Sequence, residues 1–183
     1  MAKIICDKVC NFYSKITNSL ENMNQHIIPL FFRLCLGWEF FEAGYNKFTG
    51  QNWFAEISFP FPFNLLSANI NWHLAMGFEL IGGIALFLGL ATRFFSFNLI
   101  IITIVAMISV HFSDKWHSLS DVLTGYRILD EQNDGLGNYK LPLIFLIMFL
   151  PLLSLGSGKI SLDYLFKKCY KCKFSKACNK NSV

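Results

Sequence analysis

One stretch limits what this chain can fold into more than any other. Residues 27–47, IIPLFFRLCLGWEFFEAGYNK, are mostly apolar, yet Arg33, Glu39 and Glu42 lie among them. At about 1.5 Å per residue a helix of this length spans roughly 30 Å, the thickness of the hydrocarbon core of a bilayer. A charge near the membrane centre costs about 2.5 to 3.5 kcal/mol even on insertion scales. A lone lipid-facing anchor is therefore excluded, and we predict the central helix of a bundle.

The polar residues of this stretch fall on two sides of the predicted helix. At about 100° per residue two stripes appear, nearly opposite each other. The first comprises Arg33, Gly37, Phe40, Gly44 and Lys47, and the second comprises Cys35, Glu39, Glu42 and Asn46. Neither stripe suits hydrocarbon, so we expect both to face protein or a polar cavity.

The composition agrees with a membrane location. Of 183 residues, 54% are hydrophobic, 20 are Phe, and the mean hydropathy is +0.42. Only 15% are charged, against about 25% in an average soluble domain. The net charge of +4 comes from the terminal tails, which favours contact with anionic lipid headgroups. We therefore expect the lipid bilayer as a partner and no nucleic acid.

Four apolar stretches are predicted to span the membrane. They cover residues 27–47, 72–91, 94–112 and 139–156. Glu79 is the only charge of the second, and Gly83 on the same face lets another helix approach closely, so Glu79 should point into the bundle. The short turn at residues 92–93 makes the third span antiparallel to the second. The predicted fold is an all-α membrane protein whose domain, residues 27–165, is a four-transmembrane-helix bundle.

The segments around these spans suggest how the chain is oriented. Residues 1–26 have one apolar helical edge and are predicted to form an interfacial helix, while residues 166–183 form a basic, Cys-rich tail. Residues 48–71 read as an ordered aromatic loop, and residues 113–140 as a polar connection with one short helix. The tail after residue 157 has seven Lys and the first long loop has none. Both termini are therefore predicted to be cytoplasmic.

The intramembrane charges Arg33, Glu39, Glu42, Lys47 and Glu79 are the first candidate site. Counted along the helices, Glu39 and Glu79 lie at similar depth, and Arg33 lies nearer the inner side. One hypothesis is a site that handles protons or quinone; the alternative is a structural ion-pair network that holds the helices together.

Two further groups are metal candidates. The outer group is His73, His111 and His117, and the cytosolic group is Cys6, Cys10, Cys169, Cys172 and Cys178. Imidazoles near carboxylates can bind copper or zinc, and thiolates in a cationic setting can bind soft metals. The alternatives are interfacial histidines without a metal and unmodified tail thiols. No phosphate-binding loop or Ser-His-Asp set is present, so the sequence leaves open whether the protein is an enzyme.

The runs RLCLGWEFFEAGYNKFTG, FELIGGIALFLGLATRF and GSGKISLDYL resemble the DoxX family of four-helix bacterial membrane proteins. QNWFAEI, FPFPFNLL, the VHF before Trp116, and GNYKLPLIF are similar to HvfX-type members, which are associated with operons for copper-binding, ribosomally synthesised, post-translationally modified peptides. The resemblance covers roughly residues 28–165. The family-typical positions it implies are Arg33, Glu42, Gly44, Lys47, Glu79 and Arg93.

The resemblance implies a multi-pass accessory protein of the bacterial inner membrane that supports maturation, export or redox handling of a copper-binding modified peptide. Copper or quinone would be its cofactor, and proteins of the same operon its partners. One alternative is a membrane subunit of a thiol or thiosulfate:quinone oxidoreductase, and another is a structural scaffold. A pocket beside Glu39 and Glu79 would favour an enzyme, whereas a scaffold would fill that space with side chains.

Overall fold

The computed structural model describes residues 2–170, apart from the side chains of residues 2–9, 22 and 24–26. Every regular element in this range is helical, which confirms the all-α prediction. The α-helices are α1 (Ala2–Thr49), α2 (Ala68–Leu88), α3 (Thr92–Ala106), α4 (Leu119–Thr124) and α5 (Lys140–Leu155). A π-helical segment, Met107–His111, extends α3, and residues 162–170 are helical up to the edge of the described range.

α1 is one uninterrupted helix of 48 residues, so the predicted boundary near residue 27 is not a break in the backbone. Both halves have helical periodicity, and the sequence offers no glycine between them to end a helix. The buried Pro29 lies inside the helix. What changes near this residue is the environment: side chains described before it are largely exposed, whereas those after it include the buried Arg33 and Leu36.

The α2–α3 hairpin is closed by Gly89 and Asp163. Gly89 ends α2 with φ of 65°, a conformation that favours glycine. The carboxylate of Asp163 accepts hydrogen bonds from the backbone N–H groups of Ala91 at 2.8 Å and Thr92 at 3.1 Å. These bonds satisfy donors that a helix N-terminus leaves without partners. The turn thus lies at residues 89–91, just before the predicted one, because Thr92 already belongs to α3.

α1 and α2 pack with their backbones very close together. A Cβ added at Gly44 would lie 2.7 Å from the backbone nitrogen of Leu80, and one added at Gly83 would lie 2.8 Å from that of Phe41. α5 closes the bundle against α3 and α1. The buried core comprises Leu36, Phe40, Leu86, Leu99, Phe149 and Leu152.

Two helical segments are long and apolar enough to cross a membrane, Ala68–Leu88 and Thr92–His111. α5 is also apolar but has only 16 residues. The α2, α3 and α5 segments match the predicted second, third and fourth spans to within a few residues. Four crossings remain a prediction, since length and composition single out only two helices in the described part of the chain.

Both long connections are ordered on the same end of the bundle, as predicted. The first contains two single-turn 3-10 helices, Phe54–Glu56 and Phe63–Leu65, and the ring of Phe54 packs 5.0 Å from that of Trp72. The second contains the predicted short helix, α4, whose capping box joins Ser118 and Asp121. The Trp116 indole donates a hydrogen bond to the carbonyl of Leu136 at 2.7 Å, which fixes this second connection.

Candidate functional site

The two polar stripes of α1 have opposite environments. Every residue of the first stripe is buried or nearly so, from Arg33 at 1% exposure to Lys47, whose side chain is 16% exposed. In the second stripe Glu39, Glu42 and Asn46 are exposed. The second stripe was expected to face protein or a polar cavity, and the described chain itself provides neither. α2 and α5 pack on the side that carries the small residues Gly37 and Gly44, which leaves the acidic side uncovered.

The site is built on an ion pair between Lys47 and Glu79. The Lys47 ammonium donates to Oε1 of Glu79 at 3.0 Å and to Oε2 at 2.7 Å. Glu79 is 5% exposed, in agreement with the prediction that it points into the bundle. Gly44 brings α1 onto α2 at this level, so the lysine one turn later reaches across to the carboxylate. Removing one partner of such a pair leaves the other charge buried without compensation.

Arg33, which was predicted to lie nearer the inner side, takes no part in this pair. Its Nη2 donates to the carbonyl of Ile160 at 2.5 Å. A Cβ added at Gly89 would lie only 1.8 Å from Nη1, so the arginine is seated against the end of α2. Glu79 lies ten residues before Gly89, a rise of about 15 Å along the helix. The two buried charges of α1 therefore serve opposite halves of the bundle.

A cavity of about 350 Å³ opens beside the Lys47–Glu79 pair. Its walls come from α1, α2, α3 and the first long connection, and they are mostly apolar. The connection contributes aromatic side chains, namely Trp53, Phe54, Phe59 and Phe63. A pocket with apolar walls and a few convergent polar groups is the usual form of a small-molecule site. Glu39 does not line this cavity, so the predicted vacancy lies beside Glu79 alone.

Asn71 and Ser109 add polar groups to the cavity that lack partners. The Asn71 amide donates to the carbonyl of Phe63 at 2.9 Å, which holds the connection onto α2. Its Oδ1 and the hydroxyl of Ser109 are buried, and neither finds a hydrogen-bond partner among the described residues. Buried polar atoms without partners are uncommon and point to a missing water or ligand. They are the features of this pocket that most favour a bound molecule.

The second long connection meets the cavity at His111. Nδ1 of His111 lies 2.7 Å from Oδ1 of Asn138, and His111 also lines the cavity. Arg127 pairs with Asp130 at 2.6 Å and also with Asp134. Hydrogen bonding to the Arg127 guanidinium, followed by the Leu136 backbone N–H, lowers the pKa of the Asp134 carboxyl. The connection is thus held by its own charges rather than by those of the bundle.

The three outer histidines do not form a cluster. His73 is exposed and its Nδ1 lies 2.8 Å from the carbonyl of Asn69, one turn earlier. His117 is exposed beside α4, where its backbone N–H donates to Asp121. Within the described residues no group of three or more His, Cys, Asp or Glu side chains is arranged to hold a metal. The described structure therefore does not bring His73, His111 and His117 together, and an outer metal site remains a prediction.

The cysteines that were predicted to be cytosolic are only partly described. Cys10 and Cys169 are free, exposed thiols, and Cys35 is free and half-buried. The side chain of Cys6 and the whole of Cys172 and Cys178 lie outside the described residues. A thiolate metal site at this end remains a prediction.

Sequence reasoning missed Asn71 and the identity of the partner of Glu79. Lys47 was available as a member of the buried stripe, and its position one turn beyond Gly44 was the signal that places it opposite Glu79. Asn71 carries no charge and belongs to no motif. Only the fold distinguishes it from the asparagines of the first long connection, because it places the Asn71 amide against the carbonyl of Phe63.

Comparisons with known proteins agree with this arrangement. The DoxX family model matches residues 28–112, which contain Lys47, Glu79 and all the other residues that line the cavity. A Haemophilus influenzae protein described as uncharacterized is 44% identical over 156 residues, covering 84% of this chain and 93% of the relative. No solved structure matches the chain. The chain therefore contains a DoxX family domain over residues 28–112, which supports a membrane protein.

Proposed function

We propose that this protein crosses the bacterial inner membrane four times and binds a quinone-type molecule in the cavity beside Lys47 and Glu79. In that role it would handle redox equivalents during maturation or export of a copper-binding modified peptide. The observation that carries the proposal is the open, mostly apolar space next to the ion pair. A scaffold would have filled this space with side chains.

The four crossings are supported by the packing of the helices. The second half of α1 lies along most of α2, from Arg33 against Gly89 to Gly44 against Leu80. A bilayer that surrounds α2 and α3 therefore also surrounds this part of α1, and α5 packs against both α3 and α1. The excess of lysines in the tails favours cytoplasmic termini. The cavity then opens in the outer half of the membrane.

The polar groups of the cavity suit a ring that bears oxygens. An ammonium has three N–H donors, and the two hydrogen bonds of Lys47 to Glu79 leave one for a ligand carbonyl. The free Oδ1 of Asn71 and the hydroxyl of Ser109 suit ligand hydroxyls. The aromatic walls suit a flat ring with an apolar tail. A bound quinone would supply two-electron, two-proton chemistry, while these side chains hold and orient it.

The copper-peptide part of the proposal rests on the first long connection. The segments QNWFAEI and FPFPFNLL, which resemble HvfX-type members, provide Trp53, Phe54, Phe59 and Phe63 of the cavity wall. A third run of the resemblance, VHF, adds Val110 and His111 to the same wall. A copper-peptide precursor encoded beside this protein would support this role. A neighbouring thiosulfate- or thiol-oxidising subunit would favour the oxidoreductase alternative with the same pocket.

The partner proteins expected from the same operon have a natural contact on the exposed side of α1. Glu39 and Glu42 lie within about a turn and a half of Gly44, which contacts Leu80 and Glu79 near the middle of α2. A carboxylate facing lipid at that depth is costly. A partner helix with a basic side chain would remove this cost, so we expect the partner to cover this side.

Quinone binding is tested by filling the cavity. The purified protein is titrated with a short-chain ubiquinone or menaquinone analogue while quenching of tryptophan fluorescence is followed, because Trp53 lines the cavity. Ala106→Leu adds bulk to the cavity wall and should weaken binding about ten-fold or more. Ala55→Leu makes the same change at an exposed position of the loop and serves as the control. Equal affinity of both variants and wild type would contradict the proposal.

A further inference from the structure

A second cavity, of about 440 Å³, lies at the opposite end of the bundle. It is formed where the α2–α3 turn meets the chain that follows α5. Ala91, Thr92 and Arg93 line one side, and the Gly156–Lys159 region with Asp163, Tyr164 and Lys167 lines the other. This cavity shares no residue with the one beside Glu79, and it plays no part in the function proposed above.

The charge around this cavity is predominantly positive. Arg93, Lys159 and Lys167 line it, against a single carboxylate, Asp163. That carboxylate is already engaged, because both of its oxygens accept backbone N–H groups at the start of α3. Arg93 is anchored by a hydrogen bond of 2.9 Å from Nη2 to the carbonyl of Ser154. Because Asp163 and Arg93 are both engaged, Lys159 and Lys167 are the charges that can attract an anion from outside the protein.

Buried polar atoms at this end lack partners. Thr92 is fully buried and lines the cavity, and its hydroxyl has no hydrogen-bond partner among the described residues. Thr103, in the interior of α3, is different, because its hydroxyl donates to the carbonyl of Leu99, one turn earlier, at 2.7 Å. Thr92 is the first residue of α3 and has no helical carbonyl one turn earlier to bond. Its hydroxyl therefore needs a partner that the bundle does not provide.

Two more buried residues near the end of the bundle also have polar atoms without a hydrogen-bond partner. Ser96, one turn after Thr92, is fully buried with an unpartnered hydroxyl, and Nε and Nη1 of Arg33 have no partner within the described part of the chain. Such groups are normally satisfied by protein, water or a ligand. Among these groups the Thr92 hydroxyl is the one that lines the cationic cavity, and an anion bound there would give it a partner.

The rim of the cavity indicates where such an anion comes from. Phe94, which lines it, is 58% exposed, and Leu155 is 45% exposed. A free anion gains nothing from these side chains, whereas an acyl chain attached to a phosphate would pack on them. Basic pockets at the cytoplasmic ends of membrane helices commonly bind anionic lipid headgroups. We propose that this cavity binds the phosphate group of an anionic phospholipid.

The test measures retention of phosphatidylglycerol by the full-length protein, using native mass spectrometry after reconstitution with phosphatidylcholine and phosphatidylglycerol. The site variant is Lys159→Gln with Lys167→Gln. The control is Lys15→Gln with Lys168→Gln, which removes the same charge from two described, exposed residues that do not line the cavity. Each cavity lysine should contribute about five-fold to phosphatidylglycerol binding, so the site variant should bind about twenty-five-fold more weakly. The control should stay close to wild type.

Thr92→Val and inorganic phosphate complete the test. Replacing the hydroxyl by a methyl of similar size should weaken phosphatidylglycerol binding several-fold, whereas Thr92→Ser should bind like wild type. Equal losses in the two lysine pairs, or wild-type binding by Thr92→Val, would overturn the site in favour of diffuse attraction by a basic surface. Displacement of phosphatidylglycerol by low millimolar inorganic phosphate, with that phosphate bound by the protein in phosphatidylcholine alone, would overturn the lipid as its source.

Discussion

The two sides of α1 carry charges at nearly the same level of the bundle, but the charges are buried and paired on one side and exposed on the other. On the packed side, Lys47 donates to both carboxylate oxygens of Glu79. On the other side, Glu39 and Glu42 are exposed. The comparison shows that depth along the bundle alone does not make a charged residue part of a site. It becomes part of one where small residues such as Gly44 bring a second helix close enough to supply a counter-charge.

The largest expected effect comes from breaking the buried pair. Glu79→Leu leaves the Lys47 ammonium buried without a counter-charge, and it should lower the free energy of unfolding by about 3 to 5 kcal/mol. Thermal or denaturant unfolding in detergent measures this loss. Glu42→Leu, the same change on the exposed side, is the matched control.

The double variant Lys47→Met with Glu79→Leu separates the pair from its parts. Since apolar residues of similar size often replace a buried ion pair at little cost, it should regain most of the stability that Glu79→Leu loses. Quinone affinity should not return with it, because the ligand-facing donor is gone. A Glu79→Leu protein that unfolds like wild type would show that the pair does not hold α1 and α2 together.

The next effect concerns the glycines that make the pair possible. A methyl group at Gly44 would lie 2.7 Å from the Leu80 backbone, so Gly44→Ala should push the helices apart and cost about 1 to 3 kcal/mol. Gly77→Ala is the control, because a Cβ there meets nothing within 4 Å. That variant should be neutral or slightly stabilised by its higher helix propensity. Equal stabilities of the two would contradict close packing at Gly44.

Much of this arrangement could be predicted from the sequence, because periodicity and hydropathy are local properties. The helical segments, the stripe from Arg33 to Lys47, the inward Glu79 and the short helix before Gly125 all follow from spacing. The partner of Glu79 did not follow, because it depends on how far one helix is shifted along the other. Arg33 and Lys47 lie about four turns apart on α1, so the position of α2 along α1 decides which of the two meets the carboxylate.

What covers the second stripe could not be predicted from the sequence, for a related reason. The cost of a charge in lipid indicates that Glu39 and Glu42 must be covered, but it does not say by what. In this chain nothing among the described residues covers them. The start of the first span was misplaced for a similar reason. The sequence pattern changes near residue 27 because the surroundings of the helix change there, but the backbone of α1 continues through this point.

A smaller effect tests the exposed side directly. Glu39→Gln with Glu42→Gln should change the unfolding free energy of the isolated protein by no more than about 0.5 kcal/mol, because neither residue packs in the bundle. The same variant should lose association with the operon partner, measured by co-purification with the tagged partner. Lys115→Gln with Glu131→Gln, on the second connection, is the control. A large loss of stability in the isolated protein would mean that both sides of α1 serve the fold.

The smallest effect is expected at an ion pair that lies in water, and it separates the influence of pairing from that of location. The pKa of Asp134 is lowered by hydrogen bonding to Arg127 and then to the Leu136 backbone N–H, so the ionised carboxyl favours the folded connection. An unfolded Asp protonates near its ordinary pKa of about 3.9. The stabilising contribution is therefore complete above that pH and is lost as the pH falls towards the lower folded value.

Hydrogen exchange of residues 113–139 should rise in this acidic range, and Asp134→Asn should raise it already at neutral pH, with Glu131→Gln as the control. Because solvent screens this partly exposed pair, the bundle should stay folded while the connection opens. Simultaneous unfolding of both would mean that the connection, through His111 and Asn138, holds the outer end of the bundle together.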